Sequence, residues 1–85
     1  MTEYWLYPKD DEEKFFEICA DFEKEYPMFN KEELLVDPLD DQLIQAYNYQ
    51  DKKVIITLER LWFYEIIARS DIDLTNFARK HDKID

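Results

Sequence analysis

The sequence predicts an α+β fold. A small antiparallel sheet, made of an N-terminal strand and a hairpin near 43–58, is covered on one face by helices near 11–26, 60–69 and 72–82. Three observations carry this prediction. Phe15, Cys19, Phe22 and Tyr26 recur at helical spacing with Ile18 beside them, which defines one apolar face of about four turns. Val54–Ile56 is β-branched throughout, as suits a central strand. Ser70 to Asp73 resembles a capping box with Asp in place of Glu, placed just before a further helical pattern. With 85 residues, the chain has room for one core and is a single domain, 1–85.

Thr2–Tyr7 is apolar and aromatic on both faces, the pattern of a central or well-covered strand, and Pro8 ends it. Asp10 and Asp11 are N-cap candidates for the first helix, and Pro27 stops it. Residues 28–41 are less regular. Asn30 before Lys-Glu-Glu-Leu-Leu offers a cap for a short helical turn, and Asp37, Pro38, Asp40 and Asp41 read as an acidic loop. Leu43–Tyr49 and Lys53–Leu58 flank Gln50-Asp51-Lys52, a hairpin without glycine.

Arg60–Arg69 fits two patterns. As a helix it gathers Trp62, Phe63, Ile66 and Ile67 on one face; as a strand, Trp62, Tyr64, Ile66 and Ala68 share a face. No turn residue separates it from the preceding strand, which favours helix. Beyond Ser70, Leu74, Phe77, Ala78 and His81 share a helical face. Arg79, Lys80 and Lys83 sit toward its C-terminal end, where cations complement the macrodipole.

The apolar fraction of 46% and aromatic fraction of 16% argue for an ordered core despite a formal charge of −10. That charge is one-sided. Residues 1–51 carry 15 carboxylates against four lysines, and residues 52–85 carry six against seven basic residues. Such a field repels nucleic acid and anionic lipid and attracts a basic protein surface. The absence of glycine excludes a phosphate-binding loop and a dinucleotide fingerprint. A lone cysteine excludes an intrachain disulfide, and no apolar run approaches 18 residues, so a cytoplasmic location is expected. Crowded acids further predict a higher melting temperature at pH 5 than at pH 7.5 in low salt.

Four carboxylates, Glu13, Glu17, Asp21 and Glu25, recur every four residues along the first helix. They form a line roughly 18 Å long. Each like-charged pair opposes the helix by about 0.2–0.5 kcal/mol, so helix stability does not select them. They read either as an ordinary solvated face or as a surface complementary to a partner's Arg/Lys cluster. On the second reading, reversing Glu17 and Asp21 to lysine leaves the fold intact and weakens binding. Asp37, Asp40 and Asp41 either extend the acidic face or act as local acceptors in a turn; the glycine of an EF-hand loop is missing.

Trp5, Tyr7, Tyr47, Tyr49, Trp62 and Tyr64 are the candidate aromatics; most are expected in the core, and Trp5 is the candidate anchor, ringed by carboxylates. Cys19 lies on an apolar stripe, as a buried, inert thiol does, and His81 reads as structural. These residues compose no catalytic constellation, metal set or cofactor site. The expected function is that of a small acidic, non-enzymatic binding protein. It would block a basic surface of a nuclease or nucleic-acid-binding protein, as an inhibitor, immunity-type protein or nucleic-acid mimic. The alternative is a structural or assembly subunit that binds a protein through exposed aromatics, its acidic face serving solubility.

Overall fold

Alternation along the hairpin residues sets two distinct faces on one antiparallel sheet. The computed structural model describes residues 1–81. Its elements are β1 (Thr2–Tyr7), α1 (Glu12–Glu25), β2 (Asn30–Lys31), β3 (Leu35–Asp37), β4 (Gln42–Tyr49), β5 (Lys52–Glu59), β6 (Glu65–Ser70) and α2 (Thr75–His81). The strands run in the order β1-β6-β5-β4-β2, and β3 also pairs with β4. The fold is α+β, and its sheet has six strands where the sequence predicted three.

Leu43 and Tyr47 of β4, Val54, Ile56 and Leu58 of β5, and Ile66 and Ala68 of β6 share the inner face and belong to the core. Phe15, Ile18, Cys19 and Phe22 of α1 join the same cluster, as do Leu74, Phe77 and Ala78 from the α2 end of the chain. Each fully buried Phe or Ile stabilises by roughly 1.5–3 kcal/mol. The Phe22 ring sits 4.7 Å from Tyr47 and 5.8 Å from Phe77, which joins both helical segments to β4 through one side chain. The outer face carries a cross-strand row of Leu35, Ile44, Thr57, Ile67 and Trp5. Ile67 and Thr57, at the middle of that row, are buried but lie outside the main core cluster.

The first helix follows its local signals. The Asp11 side chain accepts a hydrogen bond from the Lys14 N–H at 3.2 Å, Glu12 and Glu13 occupy the first turn, and the chain leaves the helix at Tyr26, before Pro27. The second helix starts at Thr75 rather than near 72. Asp73 accepts from the Thr75 N–H at 2.9 Å and hydroxyl at 2.6 Å, while Ser70 turns back on Ile72 instead of capping. Asp82 and Lys83 lie outside the described residues.

Three expectations are corrected. β1 is an edge strand rather than a central or well-covered one, with Trp5 half exposed on its outer face. Residues 60–69 are not helical: 60–64 form a loop, and Glu65–Ser70 is the strand β6, hydrogen-bonded to β5 on one side and β1 on the other. A buried central strand cannot leave one edge unpaired, and the β-branched pair Ile66-Ile67 suits a strand. Residues 30–37 likewise form β2 and β3 in place of a helical turn. They satisfy the free edge of β4, where the Glu32 N–H bonds the Ala46 carbonyl at 3.0 Å and the Gln45 amide donates to the Glu32 carbonyl at 2.6 Å.

The glycine-free hairpin turn holds Gln50 at φ 55°, in the left-handed region. Gln50→Gly is expected to stabilise by about 0.5–1 kcal/mol, because glycine occupies that region without a Cβ penalty. For a domain of this size that is a rise of about 2–8 °C in melting temperature, read by thermal denaturation. A lower value would show that the Gln50 side chain contributes more than its backbone strain costs.

Candidate functional site: an aromatic tip in an acidic rim

Antiparallel register brings three connections to one end of the sheet. Tyr7 lies opposite Ile66, Glu65 opposite Glu59, Leu58 opposite Leu43 and Gln42 opposite Asp37. The segment after β1, the β3–β4 turn and the β5–β6 loop therefore emerge together. Arg60 binds them to one another. Its Nε donates to Asp10 Oδ2 at 2.9 Å, one terminal nitrogen donates to the Asp41 carboxylate and carbonyl at 3.0 Å, and the other reaches Glu12 and the Asp10 carbonyl at 3.2 Å.

Beyond Arg60 the loop consists of Leu61, Trp62, Phe63 and Tyr64. They are 50%, 79%, 65% and 63% exposed, the longest run of exposed large apolar residues in the described chain. Trp5, half exposed, stands beside this tip, and its indole N–H donates to Glu65 Oε2 at 3.0 Å. Among the described residues none of these rings stacks on another. Segments 8–13, 37–41 and 59–65 hold nine carboxylates against Lys9 and Arg60, a balance of −7 out of the chain's −10. The aromatic tip thus stands in the most acidic part of the molecule.

The predicted acidic stripe does not stay together electrostatically. Asp21 pairs with Lys80 and with His81 Nε2, both at 2.8 Å; Glu25 pairs with Lys80 at 2.6 Å; and Glu17 pairs with Lys14 at 3.5 Å. Glu13 makes no ion pair among the described residues and lies toward the tip end of α1. Asp37 accepts from the Leu39 and Asp40 N–H groups at 3.0 and 3.3 Å, as a local turn acceptor does. Asp40 and Asp41 share that turn, and Asp41 sits at φ 54° beneath Arg60. The structure thus gathers Trp5, Asp37, Asp40 and Asp41 at the tip, while Asp21 and Glu25 face α2.

Burial raises the Asp21 carboxyl, but hydrogen bonds from Lys80 and His81 outweigh it and hold the pKa below the ordinary value. Hydrogen bonds from Thr75 hold Asp73 down in the same direction. A depressed folded pKa gives stability that is complete above about pH 4 and lost as pH falls below it. Asp21 and Asp73 therefore weaken the fold only below about pH 4 and leave the expected difference between pH 5 and pH 7.5 untouched. Asp21→Asn is expected to lower the melting temperature at pH 7 and to flatten its decline below about pH 4. An unchanged acid limb would take Asp21 out of the pair. The expected tolerance of Asp21→Lys is also revised, since the new ammonium would face Lys80 and His81. A loss of about 1–2 kcal/mol follows from the broken charged hydrogen bonds.

His81 is buried against Phe77, with ring centroids 4.8 Å apart, at one wall of a groove of about 480 Å³ that also meets Lys14, Lys24 and Lys80. Burial pushes the Cys19 thiol up to about 12, so the thiolate, its reactive form, is suppressed. The Tyr47 hydroxyl, likewise raised by burial, donates to Glu23 at 2.7 Å and fixes α1 over β4. Among the described residues no three His, Cys, Asp or Glu side chains are grouped to hold a metal ion, and no helix is long and apolar enough to cross a membrane.

Sequence reasoning left Leu61, Phe63 and Glu65 out of the site and expected aromatics such as Trp62 and Tyr64 mostly in the core, because a helix at 60–69 would have buried Trp62 and Phe63. A signal was present. Four consecutive large apolar residues occupy every side of a helix, and a domain this small cannot cover them all. Comparison with protein-family models, curated proteins and solved structures found no match.

Proposed function

We propose that this chain is a non-enzymatic binding protein that docks its aromatic tip on a basic protein surface. The carrying observation is the exposure of Leu61–Tyr64 within a rim whose balance is −7. Carboxylates at long range steer a basic partner and accelerate encounter, and large aromatics supply the desolvated contact that holds it. Neither half suffices alone: exposed ion pairs contribute little net affinity, and an apolar loop selects poorly among partners. Surfaces dense in lysine and arginine belong above all to nucleases and other nucleic-acid-binding proteins, whose phosphate site such a tip would cover. The result is blockade, as by an inhibitor, immunity-type protein or nucleic-acid mimic. The pairing of Asp21 and Glu25 with Lys80 favours the tip over the α1 stripe as the contact.

The test captures partners on the immobilised wild-type protein and on a Trp62→Ala, Phe63→Ala variant, then measures association of the captured partner across ionic strength. Each aromatic anchor is expected to contribute about 2 kcal/mol, roughly 30-fold in affinity, and both side chains are exposed, so the variant stays folded. The wild-type association rate should fall steeply with salt. Retained affinity in the variant would remove the tip from the interface. A salt-independent rate would favour the alternative of an assembly subunit bound through its aromatics alone.

A further inference from the structure

Beside the tip, Trp5, Pro8, Phe63, Tyr64 and Glu65 line a groove of about 340 Å³. We infer that this groove is a receptor for a guanidinium group, taking one arginine side chain of a basic partner between its aromatic walls and against Glu65. The inference rests on the tip being the docking surface and names the chemical group it selects.

Three observations point to a planar cation. First, Trp5, Phe63 and Tyr64 are each more than half exposed, line the groove, and have no face covered by another ring among the described residues. Aromatic faces attract cations, and a guanidinium also stacks on them. Second, Glu65 is pre-positioned. Its Oε2 accepts the Trp5 indole N–H at 3.0 Å, while Oε1 takes no hydrogen bond among the described residues. The carboxylate and the indole are thus held in one arrangement before any ligand arrives, which limits the ordering cost of binding.

Third, Glu65 stands directly opposite Glu59 across the β5–β6 ladder, and neither is paired with a cation among the described residues. Like charges in cross-strand register oppose sheet formation, and a cation placed between them relieves that repulsion. A carboxylate held in place beside aromatic faces also suits the planar fork of a guanidinium better than the single point of an ammonium. Arg60 cannot serve from within the chain, because its guanidinium is committed to Asp10, Glu12 and Asp41.

The test is a nuclear magnetic resonance titration of the labelled protein with blocked Gly-Arg-Gly and with the same peptide carrying citrulline or lysine. Arginine is expected to shift the Trp5 indole N–H and the amides of 63–65 with a dissociation constant of order millimolar. Lysine should bind several-fold more weakly, and citrulline, isosteric but neutral, should leave the spectrum unchanged. Glu65→Gln keeps an acceptor for the Trp5 indole and removes the charge, so it should weaken arginine binding about fivefold with the fold preserved. Equal shifts from citrulline, equal binding of lysine, or an unaffected Glu65→Gln variant would overturn the inference. Because the titration needs no partner, its failure is separable from failure of the docking reading, which the Trp62→Ala, Phe63→Ala variant tests independently.

Discussion

Phe22→Ala is expected to cost about 3–5 kcal/mol, the largest effect of any single substitution considered for this chain. Phe22 is fully buried, and its ring lies 4.7, 4.8, 5.5 and 5.8 Å from those of Tyr47, Tyr26, Phe29 and Phe77. Truncation removes the apolar area and leaves a void walled by four aromatic side chains, which are too rigid to collapse inward. A domain of 85 residues has a total stability of about 4–13 kcal/mol. The variant should therefore melt roughly 15–30 °C lower and be partly unfolded at body temperature. Phe16→Ala, on the exposed side of the same helix, should change stability by no more than about 1 kcal/mol. Equal losses at the two positions, measured by urea denaturation, would contradict the packing of α1 against β4.

Arg60→Met is expected to destabilise by about 1–2 kcal/mol, and by more at low salt than at high salt. The Arg60 side chain is only 15% exposed, although its partners Asp10, Glu12 and Asp41 are 40%, 58% and 80% exposed. Solvated partners hold the estimate below that of a fully buried network. Without the guanidinium, three carboxylates converge on a cation that is no longer there, and the three connections at the tip lose their common tie. Arg60→Lys should rescue little, because one ammonium cannot span all three segments. The readouts are urea denaturation at two ionic strengths and hydrogen exchange of the 60–64 amides, which should quicken. Salt-independent loss would mean that Arg60 acts through its aliphatic stem instead.

The difference between the legible and illegible parts of this chain follows sequence distance. Helix α1 could be read locally, because its apolar spacing, the Asp11 cap and Pro27 lie within one short segment. The β4–β5 hairpin was equally local. Strands β2 and β3, of two and three residues, have almost no pattern of their own and exist because β4 needs an edge partner. The run Leu61–Ile67 fitted helix and strand alike, and the pairing of β6 with both β5 and β1 decides between them. For the site, Trp5 and the Asp37–Asp41 turn were visible in advance, but their convergence with Trp62, Phe63 and Arg60 depends on register. The pairing of Asp21 with Lys80 and His81 joins residues far apart in sequence, so the i, i+4 spacing could not reveal it.

Strand order also bears on how the domain opens. Strands β4, β5 and β6 form a contiguous meander, whereas β1 must place Thr2 opposite Ser70 across nearly the whole described chain. Closing so long a loop is entropically costly, so β1 belongs among the last elements to dock and the first to detach in partial unfolding. Its departure bares the Glu65–Ser70 edge, an unprotected template on which another chain can add a strand. Trp5 and Glu65 sit on opposite sides of that seam, joined by the indole hydrogen bond. A ligand gripping both residues clasps β1 to β6, so occupancy of the groove protects the molecule from edge-to-edge aggregation by mass action.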